Sequence, residues 1–275
     1  TLGEALAGGA LTVSEVSEAG SVPKLSVRND ADQPVLLLDG EELLGAKQNR
    51  VVNTTILLKT KRTTVIPVSC TEEGRWNYKT ARFEDSEVVM YHKARALKSR
   101  SVSASLKQGR DFASNQREVW EAVRNMHAEV GTASPTGAMR DAFTARRSRL
   151  QAWELAFPTV TDQVGLALIA KGKVYGLELV NRPAAYTQLH RRILRSYALD
   201  LTLETETDFC IEPQNLVAMF VDQLEELEEH GHASIGHGTD WRYESPQVCG
   251  AALVHDETCI HAAFFDVSNA GQSRH

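Results

Sequence analysis

The sequence predicts an α+β protein, in which a β-rich N-terminal antiparallel sheet or sandwich precedes a helical middle and a C-terminal hairpin–helix–helix–hairpin unit. Three observations support this fold class. Short apolar runs with turn residues between them fill residues 10–70, helical spacing dominates residues 114–157, and two similar apolar hairpins flank two amphipathic stretches near the end. We divide the chain into a β-rich part over 1–110, an α+β part over 111–265, which could form one integrated domain with it, and a tail over 266–275.

The β-rich part begins with short strands. Residues 11–13 and 25–27 alternate between apolar and polar side chains, and residues 34–38 form a short apolar run that ends at a turn. The apolar runs 53–58 and 64–69 then flank a Lys/Thr turn, which predicts a hairpin. A hairpin would bring the residues just before it beside those just after it.

The region between this sheet and the helices is ambiguous. Residues 88–91 favour a strand. The Ser/Lys/Arg-rich segment 94–108 alternates in part, which predicts an edge strand or a mobile connector.

Two helices are predicted in the middle of the chain. Ser114 can cap the first, and Gly131 ends it. The second starts at residues 134–137 and runs to Phe157, where Pro158 stops it.

The C-terminal unit contains a weak internal repeat. Residues 163–179 and 247–264 each predict a β-hairpin, and we expect the two hairpins to share one sheet. Helices are predicted between them, over 184–200 and 213–230, and residues 268–275 are predicted to fray.

Charge and composition narrow the function classes. The net charge is −6, with a local excess of 13 Lys/Arg over 8 Asp/Glu in residues 82–149, and 10 Asp/Glu without Lys/Arg in residues 200–230. The acidic part disfavours nucleic-acid binding, and the basic part could attract a small anion, although both could be solvated faces. No apolar run is long enough for a membrane helix and the start lacks signal-peptide features, so we expect a cytoplasmic protein. The cysteines form no C-x-x-C pair, which disfavours a structural zinc site; they are Cys70, Cys210, Cys249 and Cys259.

Polar residues stand immediately before and after the predicted hairpin. Gln48, Asn49 and Arg50 precede it, and Arg75 and Trp76 follow it. Amide heads and guanidinium forks bind phosphates, carboxylates or ribose hydroxyls, and an indole stacks on a base or sugar. We therefore expect a site for a small anionic ligand. The alternative is a hydrogen-bond and ion-pair network that holds a loop, with Trp76 as a core anchor.

Three residues of the same region are candidates for catalysis: Glu42, Glu72 and Cys70. The carboxylates could act as a base or a metal ligand, but Glu41 and Glu42 are neighbours on a predicted strand, so only one of them can face a site. Cys70 needs a lowered pKa to act as a nucleophile, and the alternative is a small buried thiol.

Two further features are weaker. Asn115 and Gln116 lie at a predicted helix start, where free backbone N–H groups suit an anion, but ordinary capping explains the same residues. His230, His232 and His237 lie in a Gly-rich stretch that is more typical of a mobile surface loop than of a metal site. The metal and the cofactor stay open.

Several motifs together resemble a prokaryotic family of unknown function, the ADP-ribosylglycohydrolase- and rhodanese/phosphatase-superfamily-associated protein domain. The resemblance is carried by the runs 38–54, 66–70, 72–76, 114–120, 134–139 and 194–200. It covers residues 1–265 and departs from the family at residues 59–62, where a Pro/Gly turn is expected. The resemblance implies work near ADP-ribose, nucleotides or phosphorylated metabolites, and it assigns no catalytic residue.

We therefore expect a protein that binds, and is a candidate to hydrolyse, an ADP-ribose-like or other phosphorylated ligand. The alternative is a non-catalytic interaction module whose acidic helix, over 224–230, pairs with a basic partner. Dinucleotide, P-loop, zincin and serine-hydrolase motifs are missing from the sequence.

Overall fold

The computed structural model describes residues 1–17, 23–199, 201 and 211–268, and within these ranges the chain has an α+β fold. The predicted fold class is confirmed. The β-rich part contains α1 (Leu2–Ala7), β1 (Leu11–Glu15), β2 (Lys24–Asn29), β3 (Val35–Leu37), β4 (Glu41–Gly45), β5 (Arg50–Val52), β6 (Ile56–Leu58), β7 (Arg62–Cys70) and β8 (Phe83–Val89). The helical middle contains α2 (His92–Lys107), α3 (Gln116–Val130), α4 (Met139–Ala145) and α5 (Arg147–Ala156). The C-terminal part contains β9 (Gly165–Ala170), β10 (Lys173–Val180), α6 (Pro183–Ala198), α7 (Pro213–Leu224), β11 (Glu228–Ala233), β12 (Thr239–Glu244), β13 (Val248–His255) and β14 (Thr258–Asp266).

The N-terminal sheet is antiparallel, with the strand order β1-β2-β7-β5-β4-β8. It curls, because its two outer strands, β1 and β8, also contact each other. The predicted hairpin between residues 53–58 and 64–69 is wrong in its pairing. β6 leaves the sheet and pairs with β3, whereas β5 pairs with β7 and sets Arg50 opposite Cys70. The residues before and after this region are therefore neighbours, as predicted.

The C-terminal sheet has the order β11-β12-β13-β14-β10-β9, and the pairing of β10 with β14 confirms that the two predicted hairpins share one sheet. A third hairpin, β11–β12, was not predicted. The expected helix over 213–230 is wrong in its second half, because α7 ends at Leu224 and residues 228–233 form a strand. The acidic helix over 224–230 is wrong for the same reason.

The His-rich stretch is ordered rather than a mobile loop. His230 and His232 lie on β11, and His237 forms an isolated bridge with Leu57 of β6. Its structure follows from the pairing of β11 with β12, which the local sequence does not reveal.

The helical middle differs from the prediction at two places. Residues 92–107 form α2, so the expected edge strand or connector over 94–108 is wrong. The helix expected over 134–157 is divided into α4 and α5 at Arg146. The helix α3 is confirmed, but its cap is Asn115 rather than Ser114, and Gly131 ends it in the left-handed conformation with φ 63°.

Helix α2 packs against β13 and β14 of the second sheet and against α3. Its inner face carries two fully buried cations, Arg95 and Lys98, which pair with Asp39 from the N-terminal part. Arg95 also makes a two-point ion pair with Glu178 of β10. A continuous apolar cluster likewise includes residues from both predicted parts, among them Val51 and Phe265.

Among the described residues, none of the helices combines the length and the apolarity needed to cross a bilayer. The predicted tail overlaps the last strand, which runs to Asp266, and residues 269–275 lie outside the described ranges. Cys210 and the first part of the acidic run over 200–230, residues 200 and 202–210, also lie outside them.

Candidate functional site

The candidate site lies at one end of the curled N-terminal sheet. Successive residues of a strand point to opposite faces. Val13 and Val68 belong to the apolar cluster inside the curl, so Glu15 and Cys70, two residues further along the same strands, face the same side. Arg50 is the cross-strand partner of Cys70 and shares its face. The side chains of Glu15 and Arg50 thus lie at the end of the otherwise apolar interior of the sheet.

Arg50 is fully buried but only partly satisfied. Its Nη1 donates to Gln48 Oε1 at 3.2 Å, and its Nη2 lies 3.9 Å from Glu15 Oε1, which is an ionic contact but too long for a hydrogen bond. Within the described residues, Arg50 Nε and Nη2 and both carboxylate oxygens of Glu15 have no hydrogen-bond partner. The Glu15 side chain is only 5% exposed. Four buried polar atoms in one place therefore lack partners.

The exposed wall of the site is aromatic. Trp76 is 49% exposed, and its ring centre lies 5.8 Å from the guanidinium carbon of Arg50. Lys47 Nζ lies 5.3 Å from the Trp76 ring and 5.0 Å from the ring of Tyr78, which is 51% exposed. The exposure of Trp76 shows that it is not a core anchor. We call Glu15, Gln48, Arg50, Cys70 and Trp76 the Arg50 cluster.

Cys70 sits beneath Arg50 as a neutral thiol. Its Sγ donates to Gln48 Oε1 at 2.9 Å. Burial raises the pKa of Cys70 to about 11, and the charge of Arg50 opposes this only in part. The lowered pKa that a nucleophile needs is thus not found in this arrangement, and a catalytic role for Cys70 stays a prediction.

Arg75 and Glu72 form a closed network beside the cluster. Arg75 Nη2 donates to Glu72 Oε2 at 2.6 Å and to Asn49 Oδ1 at 3.1 Å, and Nη1 donates to the Ala46 carbonyl at 2.8 Å. Burial raises the pKa of Glu72, but hydrogen bonds from Arg75 and Thr136 outweigh it and leave this pKa below its usual value. These contacts are those of a loop brace, and ligand contacts of Asn49 and Arg75 stay a prediction.

Glu42 lies on the other face of the sheet. It pairs with Val51, the neighbour of Arg50 on β5, so the sheet separates its side chain from Arg50. Thr71 Oγ1 donates to Glu42 Oε1 at 2.8 Å, and within the described residues Oε2 has no partner. Burial raises the pKa of Glu42 to about 7. Glu42 can therefore titrate near neutral pH, but it lies on the face of the sheet opposite to Arg50. Its catalytic role stays a prediction.

The start of α3 is tied to the site by backbone contacts. Asn115 Oδ1 accepts the Arg117 N–H at 3.2 Å, which is ordinary capping. Gln116 Oε1 accepts the Cys70 N–H at 2.8 Å, and Gln116 Nε2 donates to the Cys70 carbonyl at 2.9 Å. Both side chains thus have structural partners, and direct ligand contacts by them stay a prediction.

Sequence reasoning missed Glu15, Lys47 and Tyr78. Glu15 left a signal, because it occupies the inward position of a strand whose preceding inward residues are Leu11 and Val13. A carboxylate at an apolar position of an alternating strand is costly to bury unless it is paired or binds a ligand. In the described ranges, no group of three or more His, Cys, Asp or Glu side chains is placed to hold a metal ion.

The comparison with known families agrees with the motifs of this region. The family model of the ARG and Rhodanese-Phosphatase-superfamily-associated Protein domain matches residues 1–265. The chain belongs to this family. The resemblance inferred from the motifs is thereby confirmed. Comparisons with curated proteins and with solved structures gave no match.

In this family member, all residues of the Arg50 cluster lie within the matched residues. The cluster offers donors from Arg50, acceptors from Glu15 and an exposed aromatic surface. Such a set can bind a polar ligand with a flat apolar part.

Proposed function

We propose that the chain is a cytoplasmic protein that binds a small phosphorylated ligand of the ADP-ribose or nucleotide type at the Arg50 cluster. The observation that carries the proposal is the buried guanidinium of Arg50, two of whose nitrogens have no hydrogen-bond partner among the described residues.

The energetic argument starts from these nitrogens. A buried polar group without a partner costs about 1–3 kcal/mol, and more when it is charged. Native proteins therefore leave few such groups, and each one calls for an explanation. Oxygen atoms of a phosphate or a sugar would supply the missing acceptors. The Trp76 indole would then stack on the base or on the sugar.

Access requires movement of the segment 76–82. Arg50 is buried, so a ligand must displace part of its cover. All residues of this segment are exposed and lie outside helices and strands. The Lys79 N–H donates to the Ala46 carbonyl at 3.0 Å, the Ala46 N–H donates to Thr80 Oγ1 at 3.1 Å, and Arg75 Nη1 donates to the Asn77 carbonyl at 3.1 Å. Opening the segment would break these hydrogen bonds and the contacts of Lys47 with the rings of Trp76 and Tyr78.

The geometry favours binding over hydrolysis. Glu72 is occupied by Arg75 and Thr136, and Glu42 lies behind the sheet. Hydrolysis by one of these carboxylates is the further part of the proposal, and it requires rearrangement around Glu72.

Calorimetric titration of the full chain with ADP-ribose, AMP, ribose 5-phosphate and inorganic phosphate tests the proposal. We expect the protein to bind at least one organic member of this panel, and Arg50→Gln to weaken that binding tenfold or more. Arg62→Gln, which changes an exposed arginine of the same sheet, should bind like the wild type.

Thermal unfolding of each variant separates lost binding from lost folding. Quenching of tryptophan fluorescence by the ligand should disappear in Trp76→Phe. Absence of heat with every member of the panel, or unchanged affinity of a folded Arg50→Gln variant, would refute the proposal.

A further inference from the structure

We infer that Glu15 determines the specificity of this site, and that the Glu15–Arg50 pair selects the vicinal diol of a ribose rather than a bare phosphate. This inference rests on the proposed function and assigns one part of the ligand to one part of the site.

The first step concerns what a ligand must offer. Arg50 can only donate hydrogen bonds, and an ionised carboxylate can only accept them. Arg50 has two nitrogens without a partner, and Glu15 has two oxygens without one, within the described residues. A hydroxyl group is both a donor and an acceptor. Two adjacent hydroxyls therefore match the two donors and two acceptors at once.

The second step concerns distance. Arg50 Nη2 and Glu15 Oε1 are 3.9 Å apart, so the pair does not close by a direct hydrogen bond. The remaining polar neighbours do not satisfy it either. Gln48 Oε1 accepts from both Arg50 Nη1 and the Cys70 thiol. Within the described residues, no hydrogen bond joins Gln48 to the carboxylate of Glu15. Both residues are anchored in the sheet, because Glu15 ends β1 and Arg50 begins β5.

The third step concerns charge. A phosphate would satisfy Arg50, but it would bring a dianion beside the carboxylate of Glu15, whose side chain is 95% buried. Like charges at such a distance repel strongly when solvent does not screen them. A neutral diol avoids this repulsion. The phosphate of the ligand is thus expected outside the pair, towards the exposed wall formed by Trp76 and Tyr78.

The experiment compares matched ligands on the full chain. Calorimetric affinities are measured for ribose 5-phosphate against 2-deoxyribose 5-phosphate, and for AMP against 2′-deoxy-AMP. We expect the wild type to prefer each ribose ligand by about tenfold or more, because the deoxy sugar leaves a buried charged group without its partner. Glu15→Gln should abolish most of this preference and should strengthen the binding of inorganic phosphate.

Glu84→Gln is the matched control, because Glu84 is exposed on β8 of the same sheet. It should retain the wild-type preference. Urea unfolding checks that Glu15→Gln is folded, which we expect because the amide has nearly the same shape as the carboxylate it replaces.

The outcomes separate this inference from the proposed function. Equal binding of the ribose and deoxyribose ligands by the wild type overturns the inference and leaves the proposed function standing, as does an unchanged preference in a folded Glu15→Gln variant. Failure of the wild type to bind any ligand of the panel overturns both.

Discussion

The ion pair between Glu178 of β10 and Arg95 of α2 allows a quantitative test of how α2 is held against the second sheet. Both side chains are fully buried, and the guanidinium donates to both carboxylate oxygens, at 2.8 and 2.9 Å. Glu178→Gln removes the charge but keeps the shape of the side chain. Arg95 and Lys98 are then left with Asp39 as their carboxylate partner. The variant therefore contains an excess buried positive charge.

The pKa of Glu178 gives the size of the effect. Burial raises this pKa, but the charge of Arg95 and a hydrogen bond from His261 lower it by more. The resulting pKa is about 2, compared with an ordinary 4.5. At about 1.36 kcal/mol for each pH unit, this difference corresponds to about 3 kcal/mol of stability. Removing one partner of a buried ion pair costs about 3–5 kcal/mol in proteins. We therefore expect Glu178→Gln to lower the free energy of unfolding by about 3 kcal/mol at pH 7.

Urea unfolding at pH 7, followed by tryptophan fluorescence and circular dichroism, measures this loss. With a slope of about 3 kcal/mol per M, the midpoint should fall by about 1 M. The pKa is lowered in the folded state, so the carboxylate stabilises the fold above about pH 4.5 and loses this effect as the pH falls towards 2. The gap between wild type and variant should therefore narrow in acid.

Glu229→Gln, at an exposed position of β11, should change the free energy of unfolding by less than about 0.5 kcal/mol. If Glu178→Gln unfolds within about 0.5 kcal/mol of the wild type at pH 7, the argument from the ion pair is wrong.

Three further predictions concern the candidate site and its supports. The pKa of Glu42 is raised to about 7, mainly by burial. Between about pH 4.5 and 7 the carboxyl is therefore protonated in the folded chain and ionised in the unfolded one. The free energy of unfolding falls as the pH rises through this window. Glu42→Gln should remove this fall and raise the free energy of unfolding at pH 8 by up to about 3 kcal/mol; equal pH profiles in urea titrations would contradict it. Gln116→Ala should lower the free energy of unfolding by about 1–3 kcal/mol, since the Cys70 backbone loses two hydrogen bonds, and an unchanged melting temperature would count against this. The buried thiol of Cys70, whose pKa is about 11, should react with iodoacetamide at pH 8 only after unfolding, and rapid labelling of the native protein, detected by peptide mass spectrometry, would disprove the neutral-thiol assignment.

The elements that the sequence predicted well are those whose signals are local. Helix α3 was expected to end at Gly131, and it does, because glycine adopts the left-handed conformation easily. Its cap, Asn115, is one residue later than the predicted Ser114, since both side chains suit a cap. The shared sheet of the two C-terminal hairpins follows from their repeated apolar pattern. The division at Arg146 and the strand β11 had no comparable local signal.

The candidate site was predictable in part. Arg50 and Cys70 were expected to be neighbours, and the pairing of β5 with β7 makes them so, although β6 does not form the expected hairpin. The relation of Glu15 to Arg50 was not predictable, because the two residues come together only when the sheet curls and β1 approaches its far strands. The separation of Glu42 from Arg50 depends on the register of β4 against β5.

The sequence by itself determined the α+β class, the family, the positions of most strands and helix α3 with its end at Gly131. Only the tertiary structure decided that α2 is a buried helix rather than an edge strand or a mobile connector. The reason is that the buried positive charges of α2 need carboxylate partners, and these come from distant parts of the chain. Arg95 pairs with Glu178, 83 residues away, and with Asp39, 56 residues away. The same holds for the Arg50 cluster, whose chemistry arises where strands distant in sequence meet.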